Sequence, residues 1–416
     1  MKRLNVLVSA YACNPISSLR LHPGEDLTGW RLTQQLSRFH NLWVIAHDYN
    51  KESILKTLEE NNSVNIKFYF ISLPRWFNWL YHISFGKRIY YYLWQISAWR
   101  LANKLNREFN FDVAHHITFG NYWIPSFIGA FLPVKFIWGP LGGGQRVPWV
   151  FFREYTLRGK ISEISRDIAQ WFGRNILFPH GKCLGKASAI LVCNRETQNK
   201  IPRIFLKKLF LFPINGIAEN ELTKEPPQYR ADKNDFLVLT AGRLDRVKGF
   251  SIAIRAFSLF ADKFPKARLE IIGQGPEETR LKRLTQELKM GEKIYFISWL
   301  TREELLSKMR QCDAFLFPSL RDGGGAVVVE AMASAKPVIC LDIGGPGFHI
   351  QKDWGIKIAP LSFDYAIREL AKALERIYLN EELRIQMCRA ARRRAEEFYL
   401  WDRLGEQLQK IYDEIR

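Results

Sequence analysis

The stretch from Ala314 to Met332 constrains the fold more than any other part of the chain. Residues 314–317 form a short, continuous apolar run, the pattern of a strand buried on both faces. Three consecutive glycines follow, Gly323, Gly324 and Gly325, and residues 330–334 then have helix-forming character. Strand, glycine loop and helix start together aim backbone N–H groups at an anion, here those from Gly323 through Ala326 to Val327. Two carboxylates, Asp322 and Glu330, bracket the loop and are placed to accept the paired hydroxyls of a ribose or a hexose. The plainer alternative is that both acids only cap a helix.

The same arrangement occurs about 75 residues earlier, where residues 238–249 again read as strand, loop and helix. Arg243 and Lys248 follow the end of that strand, where open α/β sheets bind ligands. An Arg fork and a Lys point charge suit phosphate, although a lone basic loop residue is more often only solvated. Strands at 236–241, 269–273, 293–297, 314–317 and 337–341 alternate with helical patterns, so the sheet they form is expected to be parallel.

These motifs resemble the retaining glycosyltransferases of family 4. The resemblance is carried by Gly242-Arg243-Leu244 with Lys248-Gly249, by residues 271–277, and by Asp322 with Glu330-Ala331-Met332-Ala333. In the first half, residues 9–15 and 138–144 resemble a bacterial branch of the same family. It implies a GT-B fold: two Rossmann-like, doubly wound α/β domains facing each other across a cleft. It also implies a nucleoside-diphosphate sugar as donor and retention of anomeric configuration. Arg243 and Lys248 would neutralise the diphosphate, Glu330 would hold the ribose, and Asp322 would take a hydroxyl of the transferred sugar. Gly242, Gly273 and Ile297 would complete the donor site beside the glycine loop. Two positions depart from the family pattern: Asp322 stands where Glu is usual, and Ala335 where Gly precedes Lys-Pro-Val.

A chain of 416 residues suits two domains. The expected division is 1–215, 216–398, and a final segment 399–416 that crosses back to the first domain. The six cysteines form no CxxC pair and read as reduced core residues. No Asp-x-Asp pair sits at a strand end, so no metal or tightly bound cofactor is expected. The apolar run after Met1-Lys2-Arg3 is too short for a convincing signal peptide and reads as a first buried strand.

The net charge of +19 is unevenly held: residues 1–215 carry 28 Lys and Arg against 12 Asp and Glu, a net of +16. No nucleic-acid-binding motif accompanies it, which leaves an anionic membrane surface as the expected partner. Aromatic and basic residues interleave at 75–104 and again at 149–186. The first reads either as a membrane-interface segment or as a core helix with a solvated basic face.

In the first half, residues 14–28 read as a loop and 29–38 as a helix, placing Gly24, Glu25 and Gly29 at the loop's end near the cleft. Residues 111–116 read as a strand ending in His115 and His116. The resemblance implies that one of these two faces the donor sugar. Gly142 and Gly143 fall in the next cleft loop.

The chain is therefore expected to be a cytoplasmic glycosyltransferase, peripheral on the inner face of the membrane. Its acceptor would be a glycan or lipid-linked molecule in bacterial cell-surface polysaccharide synthesis. A sugar-nucleotide epimerase and an inactive sugar-binding protein are the alternatives. A dehydrogenase is disfavoured, because residues 9–13 after the first strand lack GxGxxG.

Overall fold

Runs of Val, Ile, Leu and Phe too short for helices, each ended by polar or glycine residues, become the strands of two parallel sheets. The computed structural model describes residues 3–15, 23–61, 66–83, 86–224 and 236–416. Its contacts divide the chain into two units. The first comprises Met1–Gly144, Ser165–Ile214 and Trp401–Arg416; the second comprises Gln145–Ile164 and Asn215–Leu400. The segment 145–164 therefore belongs with the second unit rather than the first. Phe151 and Tyr155 explain this: both are buried in the core that holds Phe250 and Leu316.

The first sheet contains β1 (Asn5–Ala10), β2 (Asn41–His47), β3 (Ile66–Ile71), β4 (Val113–Thr118), β5 (Lys135–Leu141), β6 (Ala187–Val192) and β7 (Leu209–Leu211). Their order is β3-β2-β1-β4-β5-β6-β7. The second sheet contains β8 (Leu237–Ala241), β9 (Arg268–Ile272), β10 (Ile294–Ile297), β11 (Ala314–Phe317), β12 (Val338–Leu341) and β13 (Gly355–Ile358), in the order β10-β9-β8-β11-β12-β13. Every neighbouring pair is parallel. In each sheet the winding direction reverses once, between β1 and β4 and between β8 and β11. Such a reversal opens a crevice at the carboxyl ends of the two strands.

Several boundaries differ from the sequence reading. The first helix spans Pro23–Ser37, so Gly24, Glu25 and Gly29 lie within it rather than at the end of a loop. Pro23 fits the first helical position, where its missing N–H is not needed. Residues 16–22 of the expected loop lie outside the described residues. Gly29 packs the helix on the end of β1: a Cβ there would stand 2.1 Å from the Ala12 carbonyl oxygen. Strand β4 runs on to Thr118, which places His115 and His116 in mid-strand. Strand β13 has no counterpart in the sequence reading, because four residues that include Lys357 give almost no alternation to detect.

The aromatic segment divides in two. Tyr90, Tyr91 and Trp94 of the helix Gly86–Phe109 are core residues, while Trp76 and Trp79 of the preceding 3-10 turns are exposed. The last helix, Trp401–Glu414, packs in the first unit beside the first helix, burying Trp401, Leu404 and Leu408 against β-sheet residues such as Val6 and Val44. All six cysteines are buried thiols. No described helix is long and apolar enough to cross a membrane.

Candidate active site

Strands β8 and β11 are neighbours, so the loops that follow them meet at the point where the second sheet reverses. Gly249 brings them together. It adopts φ +72, and a Cβ there would lie 2.0 Å from the Pro318 carbonyl oxygen, so only glycine lets the two backbones approach this closely. The Val247 carbonyl then accepts from the N–H groups of Leu320 and Arg321, at 2.8 and 3.2 Å, and from the Ser319 hydroxyl at 3.2 Å.

This contact sets Lys248 beside Asp322, with Nζ 2.5 Å from Oδ2. The other carboxylate oxygen of Asp322, Oδ1, accepts from the Gly325 N–H at 2.7 Å. Its main-chain carbonyl accepts from the Gly345 N–H at 2.9 Å. Asp322 therefore ties the cation, the glycine loop and a second glycine pair into one unit. Gly325, at φ +60, starts the helix Ala326–Ala333, four residues earlier than the sequence pattern suggests. The first-turn N–H groups of Ala326 and Val327 are of the kind an α-helix leaves without an intrahelical acceptor.

The early start moves Glu330 from the helix N-terminus to its second turn, where it is buried. Its Oε1 accepts from Arg302 Nη1 at 2.5 Å, and the same guanidinium pairs with Glu221. Burial by itself would lower the Arg302 pKa, but the two carboxylates outweigh it and raise it above its ordinary value. Glu330 keeps its second oxygen as an acceptor.

Arg243 stands apart from this network. Its side chain is 73% exposed and touches Asp245 at 3.2 Å, so it is the cation here with the most freedom to move onto a ligand. Gly242 and Gly273 end β8 and β9 with positive φ, and a Cβ on Gly273 would sit 2.0 Å from the Gly242 carbonyl oxygen. The Ile297 carbonyl accepts from the Gly273 N–H at 2.9 Å. Glu277 pairs with Arg246 at 2.9 Å and Arg280 at 2.7 Å. Burial opposes that shift, but the two guanidiniums hold the Glu277 carboxyl below its usual range.

Three parts of this site escaped the sequence reading. Gly344 and Gly345 pack on the first glycine loop: a Cβ on Gly344 would meet the Asp322 carbonyl oxygen at 2.3 Å. The visible signal is a second Gly-Gly pair two residues beyond the apolar strand β12. His349 donates from Nε2 to the Gly324 carbonyl at 2.7 Å, while its Nδ1 accepts from the Tyr399 hydroxyl at 2.7 Å. Burial holds its imidazole at about 4, so it is neutral. Arg302 gave no signal, because its partners lie 28 and 81 residues away.

In the first unit the two histidines of β4 are enclosed. His115 donates from Nε2 to the Gly139 carbonyl at 2.8 Å and accepts at Nδ1 from Tyr412 at 2.9 Å. His116 Nε2 lies 3.0 Å from the Tyr91 hydroxyl. Each ring is 1% exposed, and burial holds them at about 4 and about 3. Tyr412 and the Gly139 carbonyl close over His115, and Tyr91 closes over His116, so both histidines are core residues of the first unit. Burial and the neighbouring Asp26 push the Glu25 carboxyl up to about 7. Gly143 adopts φ +89 and turns its carbonyl toward Arg166 and Gln170, each donating at 2.9 Å. Gly142 N–H donates to the Gly120 carbonyl at 2.6 Å. Among the described residues no group of three or more His, Cys, Asp or Glu could hold a metal ion.

Two Rossmann-like parallel α/β units, the second with a glycine loop at its reversal point, define the GT-B class. Solved structures of that class superimpose over nearly the whole chain. A glycosyltransferase of Rickettsia africae gives a TM-score of 0.64 at 16% identity, covering 100% of this chain and 99% of the other. Anabaena HepE in complex with UDP gives 0.62 at 15%, covering 99% and 100%. Residues 222–394 match the model of the family of glycosyl transferases group 1. A D-inositol 3-phosphate glycosyltransferase of Corynebacterium jeikeium is 32% identical over 181 residues, 42% of this chain and 42% of the relative. The phosphatidylinositol N-acetylglucosaminyltransferase gpi3 subunit of Schizosaccharomyces pombe is 23% identical, over 54% and 48%. The chain thus spans about half the length of the curated relatives it matches.

Proposed function

We propose that the protein is a retaining glycosyltransferase that moves a sugar from a nucleoside-diphosphate sugar to a glycan or lipid-linked acceptor. The observation that carries this reading is the joined pair of loops after β8 and β11, with Lys248, Asp322 and the loop amides in one hydrogen-bonded unit. Departure of a nucleoside diphosphate builds negative charge on the phosphate oxygens. Lys248 lies beside the glycine loop, and the exposed Arg243 can swing to the same oxygens. Cations held in place before the reaction stabilise that charge without reorganisation. The amides of Ala326 and Val327 add donors at a helix N-terminus. The free oxygen of Glu330 receives the ribose hydroxyls. Asp322 has committed a lone pair on each oxygen, and the remaining ones serve a hydroxyl of the transferred sugar. His115 and His116 are left as neutral core groups.

HepE binds UDP in its solved complex, and the gpi3 relative is named for a phosphatidylinositol acceptor. Together these names support a nucleotide-sugar donor and an acceptor borne on lipid, reached from an anionic membrane surface by the basic first half of the chain. A panel of UDP-, GDP- and ADP-sugars, read by thermal shift and by nucleotide release with and without lipid extract, tests the reading. Release that needs a lipid acceptor supports it. Conversion of free donor with no acceptor would instead indicate an epimerase, and binding without any turnover a sugar-binding protein.

A further inference from the structure

The helix Leu157–Asn175 is built the wrong way round for a surface helix. Leu157, Ile161, Ile164, Ile168, Trp171 and Phe172 are all between 45% and 74% exposed. At about 100° per residue these six positions fall within an arc of about 100°. The opposite side carries Glu163, Arg166, Gln170 and Gly173, and this polar side faces the protein. Glu163 is buried and ion-paired with Arg321. Arg166 and Gln170 both donate to the Gly143 carbonyl at 2.9 Å. Gly173 lies so close to Trp123 that a Cβ would stand 2.4 Å from the indole. A surface helix normally turns its apolar stripe to the core. Here half-buried hydrogen bonds and the Glu163–Arg321 ion pair hold the polar face inward, and the apolar stripe is left to a partner.

We infer that this helix docks the protein on an anionic bilayer, lying in the interface plane with its apolar stripe in the head-group region. The inference rests on the membrane reading above and names the element that carries it. Arg158 and Lys160 border the stripe on its two sides, and Arg174 lies at its C-terminal end, where their long side chains can reach lipid phosphates. A tryptophan on the stripe suits head-group depth. Charge decides between the two occupants an apolar stripe of this spacing can have. A second copy would bring a first half with the same net charge of +16, whereas an anionic surface is complementary.

The test is co-sedimentation of the full chain with vesicles of phosphatidylglycerol and phosphatidylcholine, set against phosphatidylcholine alone. The wild type should bind the anionic vesicles, and part of that binding should survive high salt, since apolar contact is not screened. Ile168→Glu with Trp171→Glu should lower the bound fraction on the order of tenfold or more. Because both side chains are exposed, Tm and the far-ultraviolet circular dichroism should not change. Leu157→Glu with Ile161→Glu, at the other end of the helix, should act in the same direction. If the wild type ignores both kinds of vesicle, the membrane reading and the docking helix fall together. If it binds and both double variants bind equally well, the helix is not the docking element although the membrane reading stands. A dimer in light scattering that these substitutions dissociate, with no vesicle binding, would give the stripe to a second copy and overturn the inference.

Discussion

Replacing Asp322 by Asn removes the negative charge but keeps an oxygen that can cap the Gly325 N–H. The change therefore isolates the ion pair with Lys248, whose Nζ lies 2.5 Å from Oδ2. The two side chains are 24% and 14% exposed, between a surface pair and a buried one. Exposed pairs contribute about 0.2–1 kcal/mol, and removing one partner of a fully buried pair costs about 3–5 kcal/mol. A loss of about 2 kcal/mol of stability is expected for Asp322→Asn. Lys248→Met should cost a similar amount, because it strands the carboxylate. The double variant should be less destabilised than the sum of the two, by about 1–2 kcal/mol, since the same pair is lost in both. Urea unfolding of the four proteins measures this coupling, and donor-dependent nucleotide release measures its consequence. Turnover should fall on the order of 10²-fold in each single variant, because Lys248 is then missing or no longer held in place. Effects that add to within about 0.5 kcal/mol would refute the reasoning: the pair would then be a geometric coincidence rather than an energetic unit.

Arg243→Ala should lower turnover on the order of 10²-fold while leaving Tm unchanged, since the side chain makes only an exposed contact with Asp245; wild-type turnover would remove it from the phosphate clamp. Glu330→Ala should weaken calorimetric binding of free nucleotide and also lower Tm, because it leaves Arg302 with one carboxylate partner instead of two; unaltered nucleotide affinity would dissociate Glu330 from the ribose. Ala335 is a non-glycine residue at φ +56, where the resembled family has glycine, so Ala335→Gly should raise stability by about 0.5–1 kcal/mol in urea unfolding, and a loss would show that the strain is absent. His115, His116 and His349 have folded pKa values at about 4, about 3 and about 4, below the ordinary 6.5. The unfolded chain therefore binds protons that the native chain does not, and the stability present above pH 6.5 should fall between pH 6.5 and about 4. The slope is about 1.4 kcal/mol per pH unit per histidine, and His349→Gln should make it shallower; an unchanged slope would mean His349 titrates normally.

What could be read without coordinates was whatever depends on neighbours along the chain. In the second sheet, short and largely apolar runs located every described strand but β13, because burial on both faces leaves little polar alternation to disguise them. Glycines in the segments after β8 and β9 marked the loops of the candidate site, because only glycine allows the approaches seen at Gly249 and Gly273. Lys248, Asp322 and Glu330 were recognisable by spacing and residue type. Tertiary structure decided which of these groups meet, since pairing depends on which strands lie side by side. It placed Lys248 on Asp322 across 74 residues, and added His349 and Arg302, whose partners no local pattern could reveal. It also enclosed His115 and His116 by extending β4 to Thr118, a register set by pairing with β1 and β5. Finally, it chose which face of the helix Leu157–Asn175 turns inward. Periodicity shows that a helix is amphipathic, but only the Gly143 carbonyl that accepts from Arg166 and Gln170 and the ion-pair partner of Glu163 determine that its polar side is the inner one.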